Sequence, residues 1–138
     1  MTENARVDVF AAPGVHAAMA AVDAAAAQGL DARLAELVRL HASRINGCDF
    51  CTGLHTDAAR AAGETEERLT ALASGSPLFT PAERAALALT EAMTRLPPTG
   101  IPRALVATAR EHFDETELAH LIWTIAAINT WNRVAVTA

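Results

Sequence analysis

The sequence contains no lysine: all eleven basic residues are arginine, set against sixteen Asp and Glu in 138 residues for a net charge of −5. Without lysine no Schiff base or lysine nucleophile can form. Without a basic cluster nothing displaces counterions from a polyanion, so neither nucleic acid nor an anionic membrane surface is an expected partner. Long apolar runs are missing as well, since no stretch approaches the roughly 20 residues a membrane span needs. The N-terminus lacks the basic, apolar, small-residue order of a secretory leader, and Met1 to Phe10 reads as a short polar arm. Cysteine is scarce, with two in the chain, Cys48 and Cys51. In a chain without an export signal such a Cys-x-x-Cys pair is more often catalytic or metal-binding than structural. The expected compartment is the cytoplasm.

Alternating strand-like runs are absent too, and Ala, Leu, Glu and Arg dominate between short punctuation marks, so the expected fold class is all-α. The length favours one domain over residues 1–138 with a sizeable core of its own. About seven helices can be placed. Pro13 can open the first as its N1 residue, with Gly29 as a C′ stop after Gln28. Asp31 caps a second, with Leu34, Leu37, Val38 and Ile45 at helical spacing and Asn46-Gly47 as its end. A third starts at Cys48, runs to Ala62 and closes at Gly63. Thr65 begins a fourth that ends near Gly75-Ser76-Pro77. Thr80, Pro81 and Glu83 form a capping-box start for a fifth reaching Arg95. Pro102 opens a sixth to Phe113, and Asp114 with Glu117 caps the last, through Leu118, Leu121, Ile125 and Trp131.

The chemistry-bearing stretch is Cys48 to His55. Spacings of three, four and seven residues put both sulfurs and the imidazole on one helix face. A thiol attacks as thiolate, which the positive helix end favours at Cys48 and a histidine one turn away favours at Cys51. The spacing does not set the order of attack. A staple closing so short a loop constrains the unfolded chain far less than the roughly 3 kcal/mol of a loop of about 15 residues. Cys48, Cys51 and His55 would also offer three zinc ligands, but no second cysteine pair or His-x₃-His completes a structural site. Redox use is therefore the preferred reading, with no metal and no cofactor.

Glu36, Cys48, Cys51 and His55 together match a Glu-x₁₁-Cys-x₂-Cys-x₃-His pattern. With Arg44-Ile45-Asn46-Gly47, His55 to Arg60, Gly63-Glu64-Thr65 and Leu78 to Leu87, the motif-bearing core over about 30–95 resembles the alkylhydroperoxidase AhpD-like proteins of the carboxymuconolactone decarboxylase family. The resemblance implies an AhpD-like helical fold assembling as a homo-oligomer, a trimer or hexamer. It also implies reduction of hydroperoxides with a protein or small thiol as reductant. By the same resemblance Cys51 is the peroxidatic sulfur, Cys48 resolves, His55 accepts the thiol proton and Glu36 orients or recharges it. The chain departs from better-studied members in having Phe50, not histidine, before the second cysteine, and Phe50 could shield the pair.

Two other functions use the same residues or the same family. A dithiol–disulfide oxidoreductase or redox sensor would use the pair without needing Glu36, and a lactone decarboxylase activity belongs to members that lack the pair. Asn129, Trp131, Asn132 and Arg133 read as a subunit contact or an internal polar network. His16, His112 and His120 carry no readable role. His41 could face the Glu36 pocket, though a core or solvated histidine is the preferred account.

Overall fold

Capping chemistry sets most of the helix boundaries in the structure, a computed structural model that describes residues 5–138. Among these residues there is no strand. A short 3₁₀ turn at Val9–Ala11 precedes α1 (Val15–Ala27), α2 (Ala32–Ile45), α3 (Asp49–Ala61), α4 (Glu66–Thr70), α5 (Pro81–Arg95), α6 (Arg103–Arg110) and α7 (Glu115–Thr137). The side chains of Asp31, Thr65, Thr80 and Asp114 accept from the N3 amides of α2, α4, α5 and α7, and Thr80/Glu83 and Asp114/Glu117 close full capping boxes. These starts were all expected.

Several boundaries differ, each for a physical reason. Pro13 is not the N1 residue of α1; Gly14, with φ +79°, turns the chain into the helix as its cap. Helix α4 is only five residues long, because the Ser74 amide and hydroxyl donate to the Glu91 carboxylate on α5, at 3.2 and 2.8 Å, and not back into a helix. Helix α6 stops at Arg110, where the amides of His112 and Phe113 both turn onto the Ala109 carbonyl and bury the Phe113 ring in the core. Helix α7 continues past Trp131 to Thr137. Of the proposed N-terminal arm, residues 1–4 lie outside the described residues. Arg6 is tied to the end of α7 through the carbonyls of Val136 and Ala138, and the His16 ring stands between Phe10 and Trp131 at 5.1 and 5.2 Å.

Helix α2 is the central element. Leu34 and Val38 join α5, α6 and α7 in one core cluster with Leu89, Leu121 and Ile125, whereas Leu37 and Leu40 join a second with Ala59, Leu69, Phe79 and Leu87. From Leu34 to Ser43 every residue of α2 is buried except Glu36. A helix buried nearly all round must satisfy each polar group it carries inward. That requirement determines the partners of Glu36, Arg39, His41 and Ser43.

Gly29 is needed for a reason other than the left-handed stop expected of it, since its φ is not positive. A Cβ there would lie 2.1 Å from the ring of His120, whose Nδ1 donates to the Ala26 carbonyl at 2.8 Å and so holds α7 against the end of α1. Gly29→Ala is expected to cost about 1–3 kcal/mol, read as a lower urea midpoint at unchanged slope.

Candidate active site

The sulfurs sit at a junction of two caps. Helix α2 ends in a Schellman motif: Gly47, at φ +66°, donates to the Arg44 carbonyl and Cys48 donates to the Ser43 carbonyl at 3.0 Å. Cys48 is at once the last residue of that motif and the N-cap of α3, where its Sγ accepts from the Cys51 amide at 3.3 Å. Cys48 and Cys51 are joined as a disulfide with their Cα atoms 5.3 Å apart. They are 3% and 4% exposed, so the pair is covered although it opens a helix. Phe50 is 76% exposed; most of its ring faces outward, away from the shielding position considered for it.

The junction is braced from α7. Asn46 Nδ2 donates to Oδ1 of both Asn129 and Asn132 at 2.9 Å, and Asn132 Nδ2 donates to the Ser43 hydroxyl at 3.0 Å. Asn129 also donates to Thr94 Oγ1 at 3.1 Å and accepts from Arg133 at 2.6 Å. Of the two accounts of this segment, the internal network is what the side chains form within the chain. Trp131 is outside it, against His16.

One turn beyond Cys51, His55 Nδ1 lies 2.8 Å from Glu36 Oε2, and Glu36 Oε1 accepts from Arg39 at 2.7 Å. Burial pushes the Glu36 carboxyl up, but the hydrogen bond from His55 and the charge of Arg39 together hold its pKa below 4.5. With the carboxyl ionised, Nδ1 must be the donor, which leaves the lone pair of the neutral ring on Nε2. Glu36, Cys48, Cys51 and His55 are thus brought to one place by α2 and the start of α3. His41 is not part of it: its Nε2 meets Glu91 Oε1 on α5 at 2.8 Å, as a buried core histidine. Arg39, which no motif singled out, belongs to the site; its signal was the i, i+3 spacing from Glu36. Among the described residues no three His, Cys, Asp or Glu side chains converge to hold a metal ion.

The carboxylates give the fold an acid limit. Glu91, like Glu36, is pushed up by burial and brought below 4.5 overall by its bonds to His41 and Ser74. A carboxylate whose folded pKa lies below its unfolded value stabilises fully above the unfolded value, and that stabilisation is lost as pH falls through the folded one. The urea midpoint is therefore expected to fall once pH drops below 4.5, and Glu91→Gln to lower it near neutrality while flattening its fall in acid.

Residues 13–92 match the model of the carboxymuconolactone decarboxylase family. An uncharacterised Bacillus subtilis protein, YdfG, is 40% identical over 103 residues, covering 73% of this chain and 70% of its own length. A crystal structure of a protein of unknown function from Agrobacterium tumefaciens, suggested to be an AhpD antioxidant defence protein, superposes with a TM-score of 0.86 at 37% identity, over 91% of this chain and 88% of that one.

Proposed function

The chain belongs to the carboxymuconolactone decarboxylase family, and from that premise we propose that it is a thiol-dependent peroxidase that reduces hydroperoxides through Cys51 and Cys48. The observation that carries this reading is the covered Cys48–Cys51 disulfide one helical turn from a hydrogen-bonded Glu36–His55 dyad. In the reduced protein Nε2 of His55, which keeps the ring's lone pair because Glu36 occupies Nδ1, takes the Cys51 proton. The Cys51 thiolate attacks a peroxide oxygen, an S–O bond forms, the O–O bond breaks and an alcohol leaves with that proton. Cys48, whose sulfur faces the Cys51 amide, then attacks the sulfenic sulfur. The S–S bond forms and water leaves. A dithiol or two small thiols return two electrons and two protons.

The rival reading, disulfide exchange with proteins alone, is disfavoured because it has no use for Glu36, which is held 2.8 Å from Nδ1 of His55. A homo-oligomer in the cytoplasm is part of the proposal; the exposed Phe50, Leu54, Ile122 and Trp123 supply apolar surface for a subunit contact. The test is intact mass of the fully reduced protein before and after one equivalent of an organic hydroperoxide. A rapid loss of about two hydrogens' mass is expected, and reactive thiols with unchanged mass would end the peroxidase reading.

A further inference from the structure

We propose that Arg39 is a positioning residue of this site, clamping the Glu36 carboxylate against Nδ1 of His55 while Asp23 of α1 fixes the guanidinium from behind. The inference rests on the functional reading above for its consequence, though not for its geometry. Arg39 lies on the buried centre of α2 with its side chain 10% exposed. One outer nitrogen donates to Glu36 at 2.7 Å, and the other lies 3.4 Å from Asp23 Oδ1. Its Nε is buried with no acceptor among the described residues.

That last observation decides between a packing role and a directed one. A guanidinium is costly to bury, and an unpaired donor adds to the cost, so a position needed only for packing would take leucine or methionine. What the arginine gains in return lies at its two forked nitrogens, each turned to a carboxylate. Glu36 has two oxygens and both are assigned, Oε1 to Arg39 and Oε2 to His55. Arg39 therefore fixes the plane of the carboxyl and, with it, the oxygen presented to the imidazole. Its charge also offsets the burial that would otherwise favour a neutral carboxyl.

The other elements packed on α2 do not compete for this role. On α5, Glu91 faces His41, and on α7, Arg133 faces Asn129 and Thr94 while His120 faces the Ala26 carbonyl. A carboxyl losing Arg39 would keep the hydrogen bond to His55. Once Nε2 has bound a proton from solvent, that carboxyl would be free to take the one on Nδ1, leaving His55 as the tautomer protonated on Nε2, with no lone pair there.

The experiment is carboxyl-carbon and ring-nitrogen NMR of Glu36 and His55 in the wild-type protein, Arg39→Met and Arg39→Lys, beside the rate of peroxide-driven oxidation of each reduced protein. In the wild type the Glu36 midpoint is expected below 4.5 with the neutral His55 ring protonated on Nδ1. In Arg39→Met the midpoint rises by about one pH unit or more, the ring shows mixed tautomers, and oxidation slows about tenfold. Arg39→Lys recovers most of each. A wild-type His55 ring whose neutral form is protonated on Nε2, or a midpoint and tautomer unmoved in a folded Arg39→Met, overturns the proposal, and the wild-type tautomer decides alone if the methionine variant does not fold. A midpoint that moves in a protein that never reacts with peroxide sustains the clamp and removes the peroxidase reading instead.

Discussion

Replacing Cys51 by serine is expected to abolish peroxide-driven oxidation, leaving the protein's mass unchanged after a hydroperoxide that takes about two hydrogens from the wild type. A serine hydroxyl cannot ionise to a nucleophile beside His55 as a thiol can. Cys48→Ser should behave differently. It keeps the attacking sulfur and loses the resolving one, so the mass rises by about 16 Da as the sulfenic acid accumulates. The pair of variants also decides the order of attack, for which the site offers two cues. His55 follows Cys51 by one helical turn, whereas the α3 amide of Cys51 points at Cys48 Sγ at 3.3 Å and stabilises charge there. If Cys48→Ser is the silent variant and Cys51→Ser gains the oxygen, the roles of the two sulfurs are exchanged. Cys48→Ser keeps the start of α3, since serine is itself a favoured cap at that position.

The second large effect is expected at the dyad. His55→Asn and Glu36→Gln should each slow oxidation of the reduced protein about 10²-fold, or about 2.7 kcal/mol in the barrier. The double variant should be little slower than either single one. In the proposed mechanism Glu36 acts on the sulfur only through the imidazole, so once His55 is gone its removal has nothing further to take away. His55→Asn also leaves Glu36 paired with Arg39 at 2.7 Å, so the loss reports proton handling and not an unpaired buried charge. Rates from stopped-flow tryptophan fluorescence of Trp123 and Trp131, or quenched mass spectrometry, measure both. Full multiplicativity of the two losses would separate Glu36 from His55 in the mechanism.

Much of this arrangement was legible in the chain. The caps at Asp31, Thr65, Thr80 and Asp114 depend on chemistry contained within four residues, and the convergence of Cys48, Cys51 and His55 depends on helical spacing within eight. Glu36 was legible only through the family pattern, because it reaches His55 across two helices, a contact that neither helix encodes by itself. His41 illustrates the complement: it lies near Glu36 in sequence, but 500° of helical turn carries it to the opposite side of α2, onto Glu91. Gly29 and the end of α4 were misread because they depend on groups far away in sequence, His120 over Gly29 and Glu91 capturing Ser74. The same distance, from Asn46 to α7, left two accounts of the Asn129 to Arg133 segment, of which the internal network is found.

The bracing of the cysteine turn from α7 has a consequence for the chain as it is made. Asn46 is separated from Asn129 and Asn132 by 83 and 86 residues. At about 5–20 residues per second on a ribosome, Asn46 is polymerised roughly 4–17 s before its partners on α7. By the end of that interval the nascent segment carries every motif residue and the whole family-matched stretch of 13–92, yet nothing from α7 holds the turn. A fragment stopped at that point would satisfy any search for the motif and would lack the scaffold that buries it. The cysteine turn is thus braced only once α7 has been made.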